Sequence, residues 1–298
     1  MSTVATSSPA SSPASSPSPA APRGDRLARA GRRFGLIMLA LLVLAGLIGP
    51  YLIAHDPYSQ DLLARLQEPV WAEGGNWNHI LGTDQLGRDV LARALYGVRV
   101  SALIGLSVAL MGGLIGTTLG VIAGYFGGAV DRAVSFLITA RLALPIILVA
   151  LAVVSVVGAS LTVVVLVLGL LLWERYALVA RTMAAGLRNA EFVTASRLQG
   201  CTHLQIIWRD ILPNLVGNLL IIGTVDAAMA ITLEASLSFL GLGVPAPMPS
   251  LGLMIAEGKE NMLFQPSLVV IPSIVLFVLV LCVNRAGETL RAIQMKKG

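Results

Sequence analysis

Six apolar stretches, each about as long as a bilayer is thick, constrain this chain more than any other feature of it. A spanning helix needs about 20 predominantly apolar residues to cross a hydrocarbon core of about 30 Å. The first stretch, 34–54, is free of charge. The second covers 100–126. The third, 134–157, carries Arg141 near its start and Pro145 inside it. The fourth, 161–180, is interrupted late by Glu174 and Arg175. The fifth covers 215–237 and the sixth 267–284. In lipid every backbone N–H and C=O must be satisfied within the protein, so each stretch is expected as a helix. The expected fold class is an all-α membrane protein with six transmembrane helices.

Composition agrees with that class. Charged residues make up 12% of the chain, against roughly 25% in a soluble domain, too few to solvate a globular surface. The net charge of +5 does not point to nucleic acid. The basic residues are not interleaved with aromatics; they flank the apolar stretches, which is a topology signal. Cys201 and Cys282 are far apart, and they share no ligand spacing with His55, His79 and His203. Neither a disulfide nor a metal site is expected.

Residues 1–22 are almost wholly Ser, Pro and Ala, and Arg23, Arg26, Arg29, Arg32 and Arg33 follow. Such a segment cannot bury apolar area, so 1–33 reads as a disordered tail with a basic end. It lacks the early charged region of a secretory signal. Lys and Arg concentrate on the side of the tail: Arg132, then Arg181, Arg188, Arg197 and Arg209, then Arg285, Arg291, Lys296 and Lys297. By the positive-inside rule both termini are expected in the cytoplasm. In the outer connection 55–99, acids outnumber bases.

Three connections, 55–99, 181–213 and 238–266, exceed the 2–8 residues usual between bundled helices and invite functional readings. The inner one, 181–213, reads as a short amphipathic helix from Glu191, a stop at Gly200, and a second short helix ended near Pro213. Phe192, Ala195 and Gln199 recur at three and four residues. The face they form suits either docking in a groove of a soluble partner or lying on the membrane surface. In the outer connection, Asp84 and Arg88 are spaced to pair on one helical turn, with Asp89 next to them. Gly82 and Gly87 permit sharp reversals. A folded cap on the outer face is expected there, and docking of an extracytoplasmic protein is the alternative.

Within the spans, Gly112, Gly116, Gly120 and Gly124 lie four apart on one helix face. They form a groove for close helix packing, with sliding between states as a second reading. Asp226 sits near the middle of the fifth stretch and Glu234 near its outer end. Ionisable residues at that depth are candidates for a translocation path, and an interhelical hydrogen-bonded contact is the alternative. Gly258-Lys259 is the only Gly-Lys pair, and Glu260 follows it, so no phosphate cradle exists. No nucleophile elbow or zinc-binding His pair is present either. An energy source is expected in another polypeptide, and no catalytic residue in this one.

Three segments carry a family resemblance. The inner connection resembles the coupling loop of ABC importer permeases: Thr194-Ala195-Ser196 stands where Glu-Ala-Ala is usual, and Gly200 and Ile211-Leu212-Pro213-Asn214 match. The segment from Leu81-Gly82-Thr83-Asp84-Gln85-Leu86-Gly87-Arg88-Asp89 to Arg93 resembles the outer-loop signature of the dipeptide/oligopeptide/nickel permeases, C-type subunit. The segment from Glu234-Ala235-Ser236-Leu237 to Gly243 resembles the end of the fifth span in the same family. The resemblance spans roughly 34–291 and implies a type I importer fold with a permease core over 100–286 and a cytoplasmic tail over 287–298. It implies alternating-access import of peptides or related small solutes, nickel included, across the bacterial plasma membrane. The implied partners are a homologous B-type permease, two cytoplasmic ATPase subunits or domains that hold the ATP and Mg, and an extracytoplasmic substrate-binding protein. This chain would bind no cofactor of its own. An ion-driven secondary transporter is the alternative; it calls for buried ion ligands and often two related halves, but the sequence shows no convincing internal repeat and the long inner connection is left unexplained by it. A membrane-embedded enzyme would need convergent catalytic groups, which the spans lack.

Overall fold

The computed structural model describes residues 55–294, together with Ala40, Leu44, Gly46 and Ile48. The tail 1–33, nearly all of the apolar stretch 34–54, and residues 295–298 lie outside the described residues. Among the described residues the regular elements are helical, apart from one antiparallel bridge between Thr83 and Asp89.

The bundle is organised on α1 (Val90–Phe126), a rod of 37 residues. At 1.5 Å per residue it is about 55 Å long, well beyond the hydrocarbon core. It starts ten residues before the expected second span, because Asp89 caps it: Asp89 Oδ1 accepts the Ala92 N–H at 2.7 Å. That bond satisfies one of the orphan donors of a helix start. The outer connection is thus shorter than 55–99 and ends at Asp89.

The third expected span is not one rod. It consists of α2 (Gly128–Leu142) and α3 (Ile146–Val157), bent by 83°. Pro145 lacks an N–H, and its ring disfavours helical backbone at Leu144. The fourth is also broken, into α4 (Leu161–Leu171) and α5 (Glu174–Leu187), although the two together remain one candidate span of 27 residues. Among the described residues, four helices, or five counting the bent pair, are long and apolar enough to cross a membrane. The other two are His203–Phe239 and Ser267–Ala292.

The expected inner connection 181–213 is largely helical. α5 continues to Leu187, α6 covers Glu191–Leu198, and α7 covers His203–Ile206. Pro213 does not end a helix. A π-helical turn at Ile207–Ile211 leads directly into α8 (Leu212–Phe239), with Pro213 in its first turn. A first-turn proline is tolerated because its missing donor has no intrahelical partner to serve. The wider turn absorbs the mismatch, and the Asn214 side-chain amide donates to the Asp210 carbonyl at 2.6 Å. Beyond α8, the short α9 (Leu251–Gly258) packs against α8 and α10 (Ser267–Gln294).

The glycine series lies where α1 meets the α4–α5 rod. A Cβ at Gly112 would come 2.7 Å from the Leu172 carbonyl oxygen. At Gly116, Gly120 and Gly124 it would fall on the carbonyl oxygens of Trp173, Ala177 and Arg181. The facing positions Ala177, Ala180 and Ala184 are fully buried. Small residues on both sides bring two backbones into direct contact, the geometry that packs helices in lipid.

Candidate functional site

Both ends of α1 carry built structures. At its C-terminal end is an elbow formed by α6, α7 and the start of α8. Val193, the one fully buried residue of α6, packs with Val121 and Tyr125 of α1, Ala180 and Ala184 of α5, and Ile206, Ile211 and Leu215. Tyr125 Oη lies 2.9 Å from His203 Nδ1, and the Arg197 guanidinium stands 5.4 Å from the Tyr125 ring centroid. The elbow is therefore tied to three long helices. Gly200 ends α6 with φ +83°. The Cys201 N–H donates to Ser196 O at 3.1 Å and the Gly200 N–H to Arg197 O at 3.0 Å, the paired bonds of a Schellman stop, which needs a left-handed residue at this position. A capping box of Thr202 and Gln205 then starts α7.

The outward side of the elbow is apolar and uncovered. Leu198 is 86% exposed, Leu204 65%, Trp208 64% and Phe192 45%. Glu191, Thr194, Ala195, Gln199, Gly200 and Pro213 are exposed as well, while Ser196 and Leu212 are half-buried. Beside the elbow, Arg181 grips Asp131 with both Nε and Nη2, the latter 2.9 Å from Oδ2, and so joins α5 to the start of α2.

At the other end of α1 is a cap held by buried ions. Asp84 Oδ2 accepts from Arg88 Nε at 2.6 Å and from Arg93 Nη1 at 2.7 Å. Glu257 Oε2, on α9, accepts from Arg88 Nη2 at 3.0 Å and from Arg93 Nη2 at 2.7 Å. Two guanidinium groups and two carboxylates make a closed ring, and both arginine side chains are at most 3% exposed. Asp84 and Arg88 do pair, but across a tight turn rather than on a helix. Asp84 Oδ1 also accepts the N–H groups of Leu86 and Arg88, and Gly87 adopts φ +74° with its Cα against the Asp61 backbone. Gly82 reverses the chain in the same cap. Burial pushes the Glu257 carboxyl above its ordinary range, while Arg88 pulls it back down.

Between the two ends lie charges within the candidate spans. Arg141, in the last turn of α2, donates Nε to Leu171 O at 2.7 Å and Nη1 to Leu144 O at 3.3 Å. Its Nη2 lies 3.8 Å from Glu174 Oε1. One side chain thereby fills the carbonyl and carboxylate positions left open by two helix breaks. Next to it, Arg175 Nη1 donates to Asp226 Oδ1 at 3.2 Å. Asp226 is fully buried, but the Arg175 side chain is 46% exposed. Glu174 Oε2, Asp226 Oδ2 and the Tyr176 hydroxyl are buried without a hydrogen-bond partner among the described residues. Glu234 is also fully buried; Ser238 Oγ donates to it at 2.6 Å and accepts the Val244 N–H at 3.2 Å. It ties down the turn that follows α8.

Sequence reasoning named Asp84, Arg88, Asp226 and Glu234 but missed their partners Arg93, Glu257 and Arg175. It treated Arg141, Glu174 and Arg175 only as interruptions of hydropathy. A charge inside a long apolar stretch was the available signal, since such a group needs a partner.

Residues 116–291 match the family described as binding-protein-dependent transport system inner membrane component. Residues 31–69 match the N-terminal TM domain of oligopeptide transport permease C. The chain is 37% identical over 261 residues to the dipeptide transport system permease protein DppC of Haemophilus influenzae, covering 88% of each chain. It is 35% identical over 257 residues to the glutathione transport system permease protein GsiD of Pectobacterium atrosepticum, covering 86% of this chain and 83% of the relative. It is 34% identical over 262 residues to the nickel transport system permease protein NikC of Escherichia coli, covering 87% and 91%. Among solved structures, inward-facing conformations of the MetNI methionine ABC transporter align with a TM-score of 0.55 at 18% identity, over 67% of this chain and 96% of that one. That likeness shows the fold. In this family the ATPase is a separate subunit, which sets the ion-driven alternative aside. The chain belongs to the binding-protein-dependent inner-membrane transport components, as an OppC/DppC-type permease of an ABC importer and not as a catalytic subunit.

Proposed function

We propose that this permease crosses the membrane six times with both termini in the cytoplasm, and imports a small peptide or a related solute. Glutathione and nickel chelates belong to the same range, given what the relatives are named for. A homologous permease completes the path, an extracytoplasmic binding protein delivers the solute to the cap end, and two cytoplasmic ATPase subunits drive the cycle.

The observation that carries the reading is the elbow. Its apolar outer side, with Phe192 and Leu198, is uncovered, while Val193 behind it is locked against α1, α5 and the start of α8. A partner that grips the outer side moves those helices as one lever. Closure of the ATPase subunits on ATP thus shifts the bundle between outward- and inward-facing states by differential binding. Thr194 lacks the carboxylate usual at its position, so docking rests on shape and apolar contact. The outer ring of Asp84, Arg88, Arg93 and Glu257 keeps the cap rigid where the binding protein seats.

Arg175 supports a path along the face of α5. A half-exposed arginine at membrane depth faces water or protein rather than lipid, and Asp226 holds it from behind. Glu234 supports the path indirectly, by holding the turn after α8.

The test is co-purification of the ATPase subunits with the co-expressed complex, using Phe192→Asp and Leu198→Asp. Both side chains are exposed, so the permease is expected to fold and to lose the ATPase. Full retention of the ATPase and of transport in both variants overturns the docking. Transport at wild-type rates in Asp226→Asn and Asp226→Ala removes the path role of that pair.

A further inference from the structure

The geometry points to a metal site at the cap end: we propose that His55, His79 and Asp89 hold one divalent first-row transition-metal ion of the zinc class. One ligand atom from each of the three residues lies within 4.8 Å of the other two. His79 Nδ1 is 2.8 Å from Asp89 Oδ2, and the two imidazole rings are 4.7 Å apart between centroids, tilted by 44°. A four-coordinate ion with bonds of about 2.0–2.2 Å sets its ligand atoms roughly 3.3–3.6 Å apart. An ion entering between them replaces the direct His79–Asp89 contact, parting Nδ1 and Oδ2 by roughly half an ångström, while a rotation of His55 brings in the third ligand atom and a fourth position is left to water.

Two of the ligands are already positioned by the fold. Asp89 is 4% exposed, and its Oδ1 is committed to capping α1, which aims Oδ2 at His79. His79 is 13% exposed, and its backbone is held on both sides: its N–H donates to Asn76 O and its carbonyl accepts from Gly82 N. A bond that orients a metal-binding carboxylate is the usual second-shell device of such sites. Two imidazoles and one carboxylate suit Zn²⁺, Ni²⁺, Co²⁺ or Cu²⁺, whereas Mg²⁺ and Ca²⁺ require shells of oxygen. Separations of 24 and 10 residues conceal the set from any motif search, because the folded cap brings the three together. A bound ion pins the residue that follows the apolar stretch 34–54 to the N-terminus of α1. It is a resident of the cap, some 50 Å from the elbow along α1.

The full chain, purified in detergent with an affinity tag free of histidine and stripped by a chelator, is dialysed against Zn²⁺, and the bound metal is counted. About one ion per chain is expected. Loading with Co²⁺ is expected to give the strong visible absorption of a four-coordinate ion. His55→Ala is the main variant, since among the described residues the His55 side chain makes no hydrogen bond whose loss would disturb the fold. It and His79→Ala are expected to weaken binding by more than about 100-fold, beyond the 10–100-fold typical of second-shell losses. His203→Ala, at the elbow, is expected to bind as the wild type. Unchanged Zn²⁺ binding in His55→Ala overturns the site, as does a wild type that binds no more than the His55→Ala/His79→Ala double variant. Neither result touches the transport reading, because no partner subunit takes part in the measurement.

Discussion

Arg141 Nε donates to the Leu171 carbonyl oxygen at 2.7 Å, and that single bond joins the break between α2 and α3 to the break between α4 and α5. A broken helix in lipid leaves carbonyls without partners, and non-helical backbone survives there only when protein groups satisfy it. Arg141 serves Leu144, Leu171 and Glu174 together. Arg141→Leu is expected to destabilise the chain by about 3–5 kcal/mol, the cost of breaking a buried pair from one side. Thermal unfolding in detergent measures it. Arg141→Lys keeps the charge but not the planar fork, so it is expected to fall between the two.

The glycine face of α1 gives a contrast within one helix pair. Gly120→Val is expected to lower stability by about 1–3 kcal/mol or more, since its side chain must enter the Ala177 backbone. Gly186→Ala meets no atom within 4 Å and is expected to be neutral or to stabilise by up to about 1 kcal/mol through helix propensity. Size-exclusion profiles and melting temperatures of the two variants separate the effects.

In the cap, Arg93→Leu leaves Asp84 and Glu257 facing each other without one of their two shared cations. A loss of about 3–5 kcal/mol is expected, read as a fall in melting temperature and as new protease cleavage in 55–89.

Glu257 also gives a pH signature. Burial raises its folded pKa above the unfolded value, so the folded state binds this proton more tightly. Its contribution to stability therefore increases as pH falls through the window between the folded and unfolded pKa values. Glu257→Gln cannot titrate and is expected to flatten the stability–pH curve in that window. An unchanged curve rejects the assignment.

At the elbow, Gly200 has φ +83° and open space around its Cα. Gly200→Ala therefore suffers only backbone strain, of roughly 1–2 kcal/mol. The expected outcome is a folded permease with a frayed α6, reduced ATPase co-purification and slower transport. Amide exchange at Cys201 and Gly200 checks the fraying directly.

Much of the fold was legible in advance because membrane insertion is a local sum. Some 20 consecutive side chains decide whether a segment prefers lipid, and they are contiguous in the chain. Gly200 as a stop and Asp84–Arg88 as a pair were legible for the same reason, since their partners lie within a few residues. The helix breaks were half legible. Pro145 and the Glu174-Arg175 pair marked them, but nothing local said that one arginine would bridge both.

Hydropathy and short-range motifs alone determined the membrane class, most of the spans and the family, because those properties add along the chain. Only the tertiary structure decided which charges meet. Arg93 and Glu257 are 164 residues apart, Arg175 and Asp226 are 51 apart, and Arg141 and Leu171 are 30 apart. Each pair is dictated by how rods of fixed length pack against α1, and packing is a property of surfaces that no single stretch carries by itself.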